Sequence, residues 1–508
     1  MLSYMLQNGT KSIQNGKILP KNYVIIIINY KKKFVKHFSK RGVRMPQENK
    51  SIFSNRQLLK IILPFVVQNI LSVTIGMVDS VMVSSRGEDA FAGVSLVNSL
   101  DTLLVTVFTA LATGASVVLA QAMGKKDRAL ACNAAKQALY ATTTVAAVIT
   151  ATVVIFRVPL LNLLFGEAEE SVMKNALSYF GIVALSFPLL AIESSVSSML
   201  RAQGDSVTSL KVSIFMNCLN IVGNAILIYA CNLGAMGAAL ATLISRLVGA
   251  TVMIIIGRSQ KRYIYLEKLL NYRPDKDIIK AILHVGVPNG IESSLFQFGR
   301  LMTSSLVSSL STAAIAANAA ALTLANFQYT AGGAIQNTMI TVVGRCIGAE
   351  EKEQAKRYTR ILLGIGYLLI ILVCGVLCLF SSPLLAMFNL SAEGFASARA
   401  LLFYHSAVSA VIWVIAFCLP SAFRAANDVN FTMVVSVASI WLFRVALAYF
   451  MAKESVSFFG LFSLKGANLG IMGVWIAMTV DWAVRTIFFA WRFLSGKWLT
   501  KYKGIRKK

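Results

Sequence analysis

Residues 64–85 of this chain read PFVVQNILSVTIGMVDSVMVSS, and residues 288–309 read PNGIESSLFQFGRLMTSSLVSS. The segments start 224 positions apart, and they align without a gap from the first proline to the closing Val-Ser-Ser. Self-similarity at a fixed offset indicates an internal duplication, so we interpret the chain as two copies of one unit. Further pairs at the same offset are Ala90 with Ala314, Gly124 with Gly348, and Phe156 with Phe380.

Later motifs extend the duplication at shifted offsets. RAQGD at 201–205 corresponds to RAAND at 424–428, which lies 223 positions later. LGAMG at 233–237 corresponds to LGIMG at 469–473, which lies 236 positions later. The second copy has therefore gained about a dozen residues in the loop between these two motifs.

The composition is typical of an integral membrane protein. Of the 508 residues, 56% are hydrophobic and only 14% are charged, and the mean hydropathy is +0.67. These values are far from those of an average soluble domain. Apolar runs of about 20 residues fit membrane-spanning helices, whereas a membrane barrel would show short alternating strands. We therefore predict an all-α membrane protein.

The formal net charge of +27 would suggest nucleic-acid binding in a soluble protein, but here Lys and Arg lie between and beyond the apolar runs. This distribution is a signal of membrane topology, so we predict a lipid bilayer and no nucleic acid as partner. The seven cysteines are scattered without metal-ligand spacing. We therefore expect no metal site and no cofactor.

Windows of about 20 residues give twelve apolar spans, six in each copy. Because each copy has an even number of spans, both have the same orientation and are related by a pseudo-two-fold axis along the membrane normal. The basic N-terminal segment is expected to be disordered, since its apolar run 24–28 is too short to cross a bilayer. The predicted organisation is a tail at 1–50, an N-lobe at 51–257, a cytoplasmic linker at 258–280, a C-lobe at 281–495 and a basic tail at 496–508.

The orientation follows from the distribution of Lys and Arg among the predicted loops. One side of the membrane carries 38 of them and the other carries 6. Because basic residues are retained on the cytoplasmic side, we predict that both termini are cytoplasmic. The expected location is the plasma membrane, with the chain acting as a monomer.

A few ionisable residues lie inside the predicted spans, where each costs roughly 2.5–3.5 kcal/mol near the bilayer centre. Such residues are functional candidates by default. In the first copy they are Asp79, Asp101, Glu193 and Arg246, and in the second they are Glu292, Arg300, Arg444, Asp481 and Arg485.

Two stripes of polar residues are expected to face each other or a wet cavity, because lipid cannot satisfy them. Asp79 is the best candidate for ion coupling, since an acid with only neutral partners can bind and release a cation or proton. An acid that reaches the membrane interface and amides that simply bond between helices are the alternatives. The stripes are Gln68, Ser72 and Asp79 on the first span, and Asn217, Asn220 and Asn224 on the fifth.

The acids of the second copy have a structural explanation. Asp481 and Arg485 are four residues apart on one helix face, and Arg444 is on the preceding span, so we predict a structural ion pair among them. Glu292 and Arg300 are two turns apart and could pair through a neighbour. Secondary candidates for ion coupling are Gln68, Asp101, Glu193 and Glu292.

Several motifs together resemble the multidrug and toxic compound extrusion (MATE) family, over about residues 55–495. The main segments that carry the resemblance are GMVDSVMVS at 76–84, LRAQGD at 200–205, GAMGAALAT at 234–242 and GVWIA at 473–477. Asp481-Trp482 and Arg485 in the last span also carry it.

The resemblance implies two six-helix lobes with a cleft between them, and export of cationic or amphiphilic compounds driven by inward H⁺ or Na⁺. Asp79 matches the first-span aspartate that members of the family use for ion coupling. Asn220 and Thr242 match polar residues of the same N-lobe cavity. At the position of Asn224, one branch of the family has an aspartate.

We therefore expect a secondary active multidrug exporter, an antiporter that works by alternating access. One alternative is a flippase for a lipid-linked precursor, which Arg246, Arg300 and Arg444 would suit. A remote alternative is a membrane-embedded enzyme, but the sequence contains no motif for one, so we predict that the chain is not an enzyme. Residues that could build an adaptable apolar substrate cavity are Phe108, Met216, Phe298, Met302, Phe327 and Trp413.

Overall fold

The computed structural model describes residues 52–166, 169–269, 271–458, 462–502 and 504. The expected tail at 1–50 lies outside the described residues. Within the described part, helices form twelve spans, of which α4 has two sections. They are α1 Asn55–Ser84, α2 Glu88–Gly124, α3 Arg128–Phe165, α4 Glu170–Leu185 with Phe187–Ala202, α5 Ser206–Ala230, α6 Gly234–Gly257, α7 Lys276–Ser308, α8 Thr312–Gly348, α9 Lys352–Leu379, α10 Ala392–Ala425, α11 Val429–Ala452 and α12 Gly470–Leu494.

These lengths fit a membrane. Among the described residues, nine of the helices are each long and apolar enough to cross a bilayer, and the two sections of α4 meet the same criterion together. The remaining two, α7 and α8, have 33 and 37 residues, long enough to cross but richer in polar side chains. The predicted all-α, twelve-span fold class is confirmed, while the lobe boundaries stay a prediction.

The helices begin at polar caps that the sequence supplies. Ser54 and Gln57 form a reciprocal capping box at the start of α1, with each side chain accepting from the other's backbone N–H. Asp127 Oδ1 accepts from the backbone N–H of Leu130 at the start of α3. Such bonds satisfy backbone donors that have no partner inside the helix.

The turns of the two copies share unusual backbone angles. The RAQGD and RAAND motifs place Gly204 and Asn427 at φ of 82° and 65°. Gly and Asn are the residues that adopt positive φ most readily, so either can make this turn. Gly234 and Gly470 both have a φ of 53°. The repeated geometry indicates that the duplication applies to the backbone as well as to the sequence.

Several helices are irregular. The two sections of α4 meet at an angle of 43° around Ser186, next to Pro188 at the start of the second section. Wider π-helical turns occur in α5 at Ala225–Ala230, in α10 at Ser409–Trp413 and in α11 at Ile440–Ala446. Such turns are rare in proteins, and those that occur are often found at functional sites.

The extra residues of the second copy form a short antiparallel hairpin between α11 and α12. Its strands are β1, Ser455–Phe458, and β2, Phe462–Lys465, with Ser455 paired to Lys465. The expectation of helices alone therefore misses this hairpin. An insertion of about a dozen residues outside the apolar spans is too short to add a membrane-crossing helix pair.

The two copies join where α2 crosses α8. A Cβ atom added at Gly124 would lie 2.1 Å from the carbonyl oxygen of Arg345, and one added at Gly348 would lie 2.0 Å from that of Gln121. Gln121 and Arg345 are themselves 224 positions apart, so each copy makes the same contact with the other. Backbones can approach this closely only at glycine.

Hydrogen bonds reinforce the crossing at the same end of the bundle, which is the predicted cytoplasmic end. Gln121 Nε2 donates to the carbonyl oxygen of Ala425 at 2.8 Å and to Asn427 Oδ1 at 3.0 Å. In the reciprocal direction, Arg345 Nε donates to the carbonyl oxygen of Ala202 at 2.9 Å. These contacts close the space between the copies at this end.

We expect Gly348→Leu to separate α2 from α8 and to reduce transport sharply, because the new side chain overlaps the backbone of Gln121. Overpacking of this kind costs about 1–3 kcal/mol or more. The matched control is Gly364→Leu on α9, where an added Cβ meets no atom within 4 Å. Thermal unfolding in detergent and dye efflux from cells measure the two effects. Equal stability and efflux in both variants would contradict the role of this crossing.

The predicted topology can be tested with single cysteines in a cysteine-free background. Lys268 lies in the linker between the copies, and Ser391 caps the start of α10 at the opposite end of the bundle. Both positions are exposed. On intact cells, an impermeant maleimide is expected to label Ser391→Cys and to reach Lys268→Cys only after permeabilisation. The reverse pattern would mean that the orientation is inverted.

Candidate ion and substrate sites

The Asp79 carboxylate on α1 lies against α5. Asn224 Nδ2 donates to Asp79 Oδ1 at 2.7 Å. With the Asn220 amide turned so that its nitrogen faces the carboxylate, that nitrogen lies 2.9 Å from Oδ1 and 3.3 Å from Oδ2. The Asn220 oxygen then faces Thr242 on α6, whose hydroxyl oxygen lies 3.3 Å away and can donate to it. The structure thus brings Asp79, Asn220, Asn224 and Thr242 together in one network.

Asp79 borders a cavity of about 330 Å³ within the first copy, together with Asp101 and Arg246. Asp101 Oδ1 is buried without a hydrogen-bond partner among the described residues. Arg246 Nη1 donates to Ser186 Oγ, at the bend of α4, at 2.6 Å. Two acids and one arginine therefore line this N-lobe cavity, which gives it an acidic character.

The other first-copy candidates lie elsewhere. Asn217 is directed to Ser213, with Nδ2 3.5 Å from its hydroxyl oxygen. Gln68 borders a separate cavity of about 180 Å³ near Arg201. Glu193 on α4 is half-buried and is not part of the lining of either cavity. Residues on one helix stripe can still face different spaces, because a helix of about 30 residues is roughly 45 Å long.

The two acids inside the spans of the second copy, Glu292 and Asp481, are each bonded to an arginine. Glu292 Oε1 accepts from Arg424 Nη2 at 2.9 Å, so the suggested link between Glu292 and Arg300 is corrected. Asp481 Oδ1 accepts from Arg485 Nε at 2.8 Å, as expected from their spacing on α12. Arg424 was overlooked as a partner because it lies in a motif at the end of α10, far from Glu292 in sequence.

Arg444 does not complete the predicted ion pair. Its guanidinium carbon lies 5.2 Å from the centre of the Phe296 ring on α7, and its side chain borders a cavity of about 290 Å³ together with Arg300. The sequence correctly predicted that α11 and α12 are neighbours. The rotation of α11 about its axis, however, directs Arg444 toward Phe296 and not toward Asp481. Of the three arginines predicted inside the spans of the second copy, Arg300 and Arg444 therefore have no carboxylate within 4 Å among the described residues, whereas Arg485 does.

None of the six residues predicted to build an apolar substrate cavity borders the cavities described here, so that cavity stays a prediction. Phe108 packs on Phe187, with ring centres 5.6 Å apart, and Met216 is buried in a core cluster. Trp413 stacks on Tyr329 at 5.8 Å. The remaining three, Phe298, Met302 and Phe327, have exposed side chains.

Sequence reasoning also overlooked a polar centre inside the C-lobe. His405 on α10 is fully buried, and its Nε2 lies 2.8 Å from the hydroxyl oxygen of Tyr329 on α8. The rings of Trp475 and Trp482 pack against it at 5.2 and 5.3 Å. A histidine within an apolar span was the available signal, since any ionisable residue there is a candidate.

A family model supports the resemblance noted in the sequence. The model, MatE, matches residues 64–226 and again 288–450, so its two matches start 224 positions apart. A relative from Thermotoga maritima, "Probable multidrug resistance protein NorM", is 26% identical over 456 residues, covering 87% of this chain and 93% of the relative. "Uncharacterized transporter YisQ" of Bacillus subtilis is 25% identical, with 86% and 94% covered.

Solved structures share the fold. One described as "Outward-facing conformation of a multidrug resistance MATE family transporter of the MOP superfamily" aligns with a TM-score of 0.77 and 20% identity, covering 88% of this chain and 96% of that chain. "Crystal structure of MATE in complex with MaL6" aligns with a TM-score of 0.78 and 19% identity, covering 88% and 97%. Since the family model matches both halves of a chain built as two six-helix copies, the protein belongs to the MatE family of membrane transporters.

Proposed function

We propose that this transporter is a secondary active exporter that extrudes cationic or amphiphilic compounds in exchange for H⁺ or Na⁺, by alternating access between its two lobes. The observation that carries the proposal is the difference between Asp79 and the acids of the second copy. Two neutral amides contact Asp79, whereas Glu292 and Asp481 each have an arginine. Arg246 borders the same cavity as Asp79, but no salt bridge of 4 Å or less joins the two among the described residues. A carboxylate that is not paired to a fixed cation can take a mobile one.

The network around Asp79 gives the coupling ion a means to act on the packing of helices. An ionised Asp79 accepts hydrogen bonds from Asn220 and Asn224 and so holds α1 against α5. A proton on the carboxylate removes an acceptor, and a bound Na⁺ would draw the amide oxygens inward instead of the amide nitrogens. Either event changes the contact between α1, α5 and α6, since Thr242 is part of the same network.

Alternating access requires that the lobes separate at one end of the bundle at a time. The glycine crossing of α2 and α8 closes the predicted cytoplasmic end in this structure. In the proposed cycle, the ion enters the N-lobe cavity from outside while this end is closed, and substrate leaves outward. Release of the ion to the cytoplasm accompanies separation of α2 and α8. The transporter is proposed to act in the plasma membrane as a monomer, with both termini cytoplasmic.

The choice between H⁺ and Na⁺ is tested in proteoliposomes that contain the full chain. Efflux of a rhodamine dye is recorded after a pH gradient or a sodium gradient is imposed separately. Acceleration by one gradient identifies the coupling ion. Equal efflux under both gradients and under none would contradict antiport.

The flippase for a lipid-linked precursor remains the second candidate, because Arg300 and Arg444 border one cavity, which lies between helices of the second copy and α2. A phosphate-bearing headgroup is the ligand that such arginines recognise. Flipping of a fluorescent diphosphate lipid across the same proteoliposome membrane, without rhodamine efflux, would favour this function.

A further inference from the structure

We propose that the cavity of about 290 Å³ bordered by Arg300 and Arg444 is an oxyanion subsite, which binds the carboxylate, sulfonate or phosphate group of an amphiphilic substrate. The proposal extends the substrate class beyond cations. The transport of such anionic substrates rests on the export function proposed above, whereas their binding at the cavity can be measured without any ion gradient. We refer to this space as the arginine cavity.

The lining of the arginine cavity carries positive charge without a compensating acid. Its fifteen lining residues comprise two arginines, neutral polar residues and apolar residues, with no Asp or Glu among them. The buried acids of the second copy are already engaged, since Glu292 bonds to Arg424 and Asp481 to Arg485. Asp481 also attracts Arg444 electrostatically, but it is bonded to Arg485, and Arg300 and Arg485 both repel Arg444. One carboxylate among three arginines leaves an excess of positive charge, which an anionic ligand would stabilise.

Arg444 is the buried member of the pair. Its side chain is 8% exposed, and its Nε atom is buried without a hydrogen-bond partner among the described residues. It lies in the π-helical turn Ile440–Ala446 of α11, a local distortion that is frequent at functional sites. The guanidinium group of Arg444 lies over the face of the Phe296 ring. This contact holds the arginine in place without neutralising its charge.

Neutral hydrogen-bond donors complete the lining. Asn318 Oδ1 accepts from Trp475 Nε1 at 2.9 Å, which leaves the amide nitrogen of Asn318 as a donor at the cavity wall. Gln297 and Ser304 on α7 also border the cavity. Proteins commonly bind carboxylates and phosphates with the planar guanidinium groups of arginine, which donate two hydrogen bonds at once, together with neutral donors.

The arginine cavity adjoins the acidic N-lobe cavity. Thr102 on α2 borders both, and Asp101 and Asp79 line the other side. The two copies therefore present cavities of opposite polarity on either side of one helix. A zwitterionic amphiphile can occupy both cavities, with its anionic group in the arginine cavity and its cationic group in the acidic N-lobe cavity. An anion and a coupling cation can occupy the two cavities together in the same arrangement.

The test measures binding of fluorescein, an anionic xanthene, and of rhodamine, a cationic xanthene, to the purified full chain in detergent by fluorescence polarisation. Arg300 is mutated first because it is exposed, so the variant is expected to fold. Arg300→Gln should weaken fluorescein binding by about tenfold or more, since it removes charge-assisted hydrogen bonds. Arg300→Lys keeps the positive charge but not the bidentate donors, so it should weaken fluorescein binding less than Arg300→Gln does.

The matched control is Arg399→Gln, which removes one exposed positive charge from α10 of the same lobe, outside the cavity. It should leave fluorescein binding unchanged, and neither glutamine variant should weaken rhodamine binding. Equal weakening of fluorescein binding by Arg300→Gln and Arg399→Gln, or saturable binding that Arg300→Gln does not affect, would overturn the subsite. So would the absence of saturable fluorescein binding to the wild-type protein.

Competition distinguishes the sources of the oxyanion. Dihexanoyl phosphatidate represents a lipid headgroup, and benzenesulfonate represents a soluble aromatic anion. Stronger displacement of fluorescein by the first assigns a lipid, and stronger displacement by the second assigns a soluble amphiphile, whereas displacement by neither would contradict an oxyanion site. Asp79→Asn should still bind fluorescein, so loss of gradient-driven efflux with intact binding would separate the coupling mechanism from the subsite.

Discussion

Asp79→Asn is expected to abolish gradient-driven efflux while leaving expression and substrate binding largely intact. The substitution keeps the shape of the side chain and its contact with Asn220 and Asn224, but it removes the group that can bind a proton or a cation. Efflux of rhodamine from cells, under an imposed proton or sodium gradient, should fall to the level of cells without the protein. Protein amount and thermal unfolding in detergent should stay near wild type.

Glu292→Gln provides the comparison for Asp79→Asn in the other lobe. Glu292 is bonded to Arg424 and buried, so its replacement is expected to affect folding more than coupling. Efflux by Asp79→Asn at near wild-type rate would contradict coupling in the first copy. Loss of coupling in well-folded Glu292→Gln alone would move the ion site to the second copy.

Asp481→Asn is expected to act through stability and to lower the amount of folded protein. Asp481 is fully buried and Arg485 is 3% exposed, and the variant leaves the guanidinium group without its carboxylate. Breaking one partner of a buried pair costs about 3–5 kcal/mol. Solubilised protein, measured by size-exclusion fluorescence, and its unfolding temperature should both decrease.

Two further variants separate charge burial from other effects of Asp481→Asn. Asp481→Leu combined with Arg485→Met removes both charges, so it should recover much of the lost stability. Glu353→Gln breaks the exposed pair with Lys356, in which Glu353 is 82% exposed, and should change stability little. If Asp481→Asn is as stable as Glu353→Gln, the buried pair does not stabilise the fold.

Local patterns in the sequence were sufficient for the membrane class, the twelve spans, the duplication and the polar stripes on the first and fifth spans. These features depend on segment length, on the helical period and on self-similarity, all of which can be read along one chain. The Asp481–Arg485 pair belongs to the same group, because both partners lie on one helix face.

Contacts between helices of different sequence position were decided only by the tertiary structure. Whether Arg444 meets Asp481 or Phe296, and whether Glu292 meets Arg300 or Arg424, depends on the rotation and depth of each helix in the bundle. No period along one chain encodes these two quantities, since they result from the packing of whole surfaces. For the same reason, the glycine contacts of α2 with α8 and the two cavities of opposite polarity beside Thr102 required the assembled fold.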